Sequence, residues 1–102
     1  MRLVYSEMAA LDIEEMWLDV LEKSQDADIA DDYRRGLLSA VSEKKRFPES
    51  GKPIMRRNGE FTGFYAVFFK KYAAFYRTEG DAMEVVRVMY LGSNYMKRLF
   101  GE

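Results

Sequence analysis

The residue types that most often carry enzyme chemistry are missing from this chain. Its 102 residues include no His and no Cys. That removes the commonest general base, the commonest metal ligand and the thiol nucleophile together. Any chemistry falls to Asp, Glu, Lys, Arg and Tyr, or to a bound cofactor. The nearest thing to a phosphate clamp is Tyr95-Met96-Lys97-Arg98, a phenol and two cations close to the chain end. The same group would suit an acidic side chain on a partner. Lys97 and Arg98 would also suit a helix C-terminus, where cations complement the helix dipole. Arg87 stands inside the valine-rich run Met83-Glu84-Val85-Val86-Arg87-Val88-Met89-Tyr90. On a strand it faces solvent, pairs with Glu60, Glu79 or Glu84, or anchors an acidic group of a partner. Tyr76-Arg77 sets another guanidinium beside a phenol. Glu14, Glu15 and Asp19 crowd one segment, but no second cluster faces them, so they read as solubilising charge. No catalytic, metal or cofactor residue is assigned. Tyr76, Arg77, Arg87, Tyr95, Lys97 and Arg98 are the candidates for binding a partner or target.

The elements that must position these side chains can be read from periodicity. Arg2 to Tyr5 reads as a short strand. Ser6 then caps a helix, with Glu7 well placed in its first turn. Met8, Leu11, Ile13, Met16, Trp17, Leu18, Val20 and Leu21 form a broad apolar stripe through Lys23. Asp12, Glu14, Glu15, Asp19 and Glu22 fill an acidic outer face. After a polar turn, Asp26 or Asp28 caps a second helix on Ile29, Tyr33, Leu37 and Val41. Pro48 forces Phe47 out of helical geometry, so this helix ends near Arg46. Residues 47–63 read as a loop with one short strand near Ile54-Met55. Three strands follow at about 63–70, 72–78 and 83–90, with a turn at Gly80-Asp81. Lys70-Lys71 is a poor sequence for a type I′ turn. Ser93 is placed to cap a short C-terminal helix, or the chain ends in an extended tail.

The order is β-α-α-β-β-β: an N-terminal strand, a helical hairpin, a mostly antiparallel three-stranded sheet and a short tail. It predicts a two-layer α+β domain spanning 1–102. One sheet face packs on the helices. The other is partly apolar and aromatic, and is expected to lie exposed until a partner covers it. Tyr65, Tyr72, Tyr76, Tyr90 and Tyr95 read mainly as core or cross-strand aromatics. Lys44-Lys45-Arg46 reads as a solvated helix end.

With 48% hydrophobic and 15% aromatic residues, the chain has the makings of a packed globule rather than a disordered tail. The formal charge of −1 hides an asymmetry. Residues 1–50 carry 7 Lys/Arg against 12 Asp/Glu, and residues 51–102 carry 9 against 5. This reads either as two solvated faces that differ in sign or as an acidic helical layer beside a basic sheet surface that receives an anionic partner. The overall balance is too neutral to argue for nucleic acid on charge. No segment reads as a signal peptide or a membrane span, so a cytoplasmic setting without membrane contact is expected.

Several stretches, taken in order, resemble one family. Leu3-Val4-Tyr5-Ser6-Glu7 with Ala10-x-Asp12-Ile13-Glu14-Glu15-Met16-Trp17 resembles the opening of the ParE branch of the RelE/ParE toxins. So do Phe47-Pro48-Glu49-Ser50-Gly51-Lys52-Pro53, Phe75-Tyr76-Arg77 with Glu84 to Tyr90, and Tyr95 to Phe100. The resemblance implies a plasmid-stabilisation type toxin of a type II toxin–antitoxin pair, held in a hetero-oligomer by a cognate antitoxin. It implies one of two targets: DNA gyrase for ParE-like members, messenger RNA on the ribosome for RelE-like ones. RelE-like enzymes resemble one another in an Arg after a hairpin Tyr; here Tyr72 is followed by Ala73. The wider family often has Gly-Arg-Arg-Asp after the last strand; here Gly92-Ser93-Asn94 stands. The resemblance therefore favours a gyrase-binding toxin that is not an enzyme. The alternatives are a ribosome-dependent endoribonuclease and a non-toxic form that only binds its antitoxin.

Overall fold

The computed structural model describes all residues, 1–102. The chain forms β1 (Arg2–Tyr5), α1 (Glu7–Ser24), α2 (Ala27–Glu43), a 3-10 turn Pro48–Ser50, β2 (Lys52–Met55), β3 (Phe61–Phe69), β4 (Tyr72–Glu79), β5 (Ala82–Tyr90), a second 3-10 turn Leu91–Ser93 and α3 (Tyr95–Phe100).

The caps follow from local chemistry. Ser6 Oγ accepts the Ala9 amide at 3.0 Å, and Asp26 Oδ1 accepts the Asp28 amide at 2.9 Å. α2 stops at Glu43, three residues before Arg46, because the chain tightens: Lys44 N donates to Val41 O and Lys45 N to Ser42 O. Ser93 is not the cap of α3. Asn94 holds that position, and the Ser93 hydroxyl donates back to Tyr90 O. The β3–β4 turn closes on Lys70-Lys71 alone, with Lys70 taking the positive φ of 53°.

The strand order is β1-β5-β4-β3-β2, and all neighbours are antiparallel except the β1–β5 pair. The expected three central strands therefore gain an edge strand on each side. The short strand expected near Ile54-Met55 within residues 47–63 is β2, which pairs with β3 through Lys52↔Ala66 and Pro53↔Tyr65. Pro53 has no amide to offer and sits on an edge, where the sheet tolerates it. β5 is irregular opposite β4: Phe75 faces Arg87 while Tyr76 faces Val85, leaving Val86 as the extra residue.

Two cores result. The larger joins the helices to the sheet through Met16, Val20, Leu37, Val41, Tyr76, Met83 and Val85. The smaller lies on the far side of the sheet around Ile54, Ala66, Ala73, Phe75 and Met89. Here the sequence-based expectation of an uncovered aromatic face fails. α3 folds back over that face, with Tyr95 against Phe75 and Phe100 against Phe64, ring centroids 5.1 and 5.5 Å apart. The chain supplies its own cover.

Candidate functional site

β1 is four residues long, so it can pair only with the first part of β5, through Tyr5↔Val85. Beyond Val85 the edge of β5 is bare of strand. The chain turns there into α1, with Ser6 N bonded to Val85 O and Ser6 Oγ to Val86 O. Asp12, on the buried side of α1, takes over as the edge partner. Its carboxylate accepts the Val88 amide at 2.9 Å and two bonds from Arg87, from Nε at 2.7 Å and Nη2 at 3.1 Å. The bidentate fork fits a carboxylate, and the backbone bond uses the remaining acceptor capacity. The Asp12 hydrogen bond also pushes the Arg87 guanidinium pKa up, so the arginine keeps its charge.

This lock forms the floor of a cleft of about 450 Å³ between α1, the end of β5 and α3. Glu15 and Asp19 rise on the α1 wall, Tyr72 and Tyr90 on the sheet side, and Arg98 on the α3 side. Tyr72 donates to Asp19 Oδ2 at 2.9 Å, and Lys23 Nζ donates to the same oxygen at 3.0 Å. Bonds from Lys23 and then Tyr72 hold the Asp19 carboxyl below its usual range. Burial first, and then the Asp19 contact, push the Tyr72 phenol up. Lys23 also lies 5.6 Å from the Tyr90 ring centroid. No group of three or more Asp, Glu, His or Cys side chains is gathered as a metal site.

The six candidate residues divide. Arg87 and Arg98 share the cleft. Arg87 pairs with Asp12 rather than with Glu60, Glu79 or Glu84. Asp12 was expected on the solvent face; its helical register with Ala9 and Met16, which are buried, is the signal that places it inward. Tyr76 cannot meet a partner: it is fully buried, and its hydroxyl donates to the Pro48 carbonyl. It fastens the 3-10 turn and β2 to the sheet. Arg77 lies exposed at the far end of β4, bridging Glu84 at 3.2 Å and Glu79 at 3.8 Å. The Tyr95 ring packs on Phe75 and is half-buried. Lys97 points to a separate polar hollow with Arg57 and Glu102. Reading the sequence missed Asp12, Asp19 and Tyr72 as partners, because each contact joins residues more than 50 positions apart.

A family model described as the ParE toxin of the type II toxin–antitoxin system parDE matches residues 3–95. The chain belongs to the ParE toxin family. It is therefore a toxin of the type II toxin–antitoxin class. No curated protein matches it. Solved structures repeat the fold. The chromosomal ParDE system of P. aeruginosa matches with a TM-score of 0.73 at 16% identity, over 89% of this chain and 96% of that one. A YoeB/ParE toxin from Agrobacterium tumefaciens gives 0.58 at 19%, over 88% and 98%. The RelBE2 toxin–antitoxin complex of Mycobacterium tuberculosis gives 0.53 at 17%, over 87% and 88%. Identities this low speak for the fold alone. They put the β-α-α-β-β-β-β-α order of this ParE-family chain among folds of both named branches.

Proposed function

We propose that this ParE-family chain is a cytoplasmic toxin that binds DNA gyrase, does not cleave RNA itself, and is neutralised in a hetero-oligomer by a cognate antitoxin. The observation that carries the choice of target is the packing at Ala73. Cleaving RNA through its 2′-hydroxyl needs a cation for the charge developing on phosphorus and a donor for the leaving oxygen. Ala73 is fully buried, in a cluster with Phe75 and Met89 that Tyr95 and Met96 of α3 close over. That surface offers carbon where the chemistry would need charge. Arg77, Lys97 and Arg98 remain at the surface and are assigned to protein contacts.

The test is a supercoiling assay with purified chain and purified gyrase, run beside a translation reaction programmed with a defined message. Supercoiling should fall with added chain and recover when the protein of the adjoining reading frame is supplied, while the message stays whole. Unimpaired supercoiling with codon-specific cuts in the message would overturn the reading.

A further inference from the structure

Six charged side chains line the cleft between α1, the end of β5 and α3: Asp12, Glu15, Asp19, Lys23, Arg87 and Arg98. Four of them pair off within the fold, Arg87 with Asp12 at 2.7 Å and Lys23 with Asp19 at 3.0 Å. The hydroxyls beside them are engaged too. Tyr72 donates to Asp19, and Ser93 donates to the Tyr90 carbonyl. Glu15 and Arg98 remain. They are opposite in sign, and neither makes an ion pair.

Their walls hold them apart. Asp12, Glu15 and Asp19 follow the i, i+3, i+7 spacing of one helix face. Bonds to Arg87 and Tyr72 tie the first and last of these to the sheet, so Glu15 stands between two anchored turns. Arg98 comes three residues after Tyr95, whose ring packs on Phe75. The cleft between the two charges measures about 450 Å³, within the range of pockets that enclose a small guest, about 300–1,000 Å³. A simple anion drawn to Arg98 would meet Glu15, and a simple cation drawn to Glu15 would meet Arg98. A guest that carries both signs satisfies both walls.

The geometry points to such a dipolar guest: a loop of gyrase that seats a Lys or Arg on Glu15 and an Asp or Glu on Arg98. The inference rests on the gyrase reading and adds to it the place of contact and the chemistry of the loop. The mixed walls also fix the direction of entry, because a reversed loop sets like charges together. A loop that fills the cleft takes both pairs out of water. They then hold the complex together and bear on dissociation more than on diffusional approach.

The probe is purified gyrase, with its association and dissociation followed in time against full-length chains. These are wild type, Glu15→Gln, Arg98→Gln and two controls outside the cleft, Glu14→Gln and Lys45→Gln. All four positions are exposed and unpaired, so thermal melting should be unchanged. Glu15→Gln and Arg98→Gln should each release gyrase about tenfold faster, with association changed less than about threefold. The controls should behave as wild type. Equal rates in all five chains, or equal losses in the controls, would overturn the cleft contact and leave the gyrase reading intact. A change in association alone would reduce the two charges to long-range steering and overturn the seated loop. An effect of only one of the two substitutions would overturn the dipolar guest. Weaker binding to the protein of the adjoining reading frame, with gyrase release unchanged, would assign the cleft to that protein and overturn the inference. No gyrase binding by wild type would overturn the inference and the gyrase reading together.

Discussion

Asp12 holds three hydrogen bonds with one carboxylate, and each would be left without an equal substitute. Replacing it with Ala strands a partly buried guanidinium and the Val88 amide. The expected cost is about 2–4 kcal/mol, less than for a fully buried pair because the Arg87 side chain is 25% exposed. Urea unfolding measures it. Arg77→Ala, which removes only surface pairs, should cost under about 1 kcal/mol in the same assay. Tyr76 makes a separate prediction in alkali. Burial pushes its phenol up to about 12, whereas an unfolded Tyr titrates near 10 (roughly). The folded state holds this proton more tightly, so the stabilisation is complete below about pH 10 and drains away as pH rises through about 12. Tyr76→Phe should flatten the fall in stability across that interval. At neutral pH it should cost about 1 kcal/mol for the lost bond to the Pro48 carbonyl, which keeps only the long bond from the Gly51 amide.

Among the elements, the stretch from Phe47 to Met55 depends most on one small residue. Gly51 has an ordinary extended backbone, φ −69° and ψ 171°, so flexibility is not why glycine stands there. A Cβ at Gly51 would run into the Tyr76 hydroxyl and crowd Tyr65. The hydroxyl is tied to Pro48 and cannot give way freely. Gly51→Ala should therefore destabilise by about 1–3 kcal/mol, read as a drop in melting temperature. What the sequence made legible, and what it hid, divides along the same line. Ser6 and Asp26 announce their helices because a cap acts within three residues. The three long strands announce themselves by composition. The roof of α3 over Phe75, the fastening of Pro48 by Tyr76 and the Asp12–Arg87 lock all join distant segments. Periodicity carries no signal for such pairs. Arg87 was visible as an oddity in a valine-rich strand, but its partner was not.

For the molecule as a whole, the division of charge follows the two layers. The helices carry the acidic excess and the sheet with its tail the basic one, so a partner reaching both layers meets opposite fields. The cleft between α1 and α3 lies where these layers meet, with Glu15 on one wall and Arg98 on the other. The parallel pairing of β1 with β5 bears on how the molecule comes into being. Arg2 aligns with Ala82, so the first strand made must wait some 80 residues for its neighbour. Local contacts let α1 and α2 form early, but closing so long a loop is slow and comes late. Asp12 is also made 75 residues before the guanidinium that neutralises it. During synthesis the helical hairpin therefore leaves the ribosome with a bare carboxylate and half a core. The fold closes only once β5 is out, and the cleft between α1 and α3 only once α3 follows it.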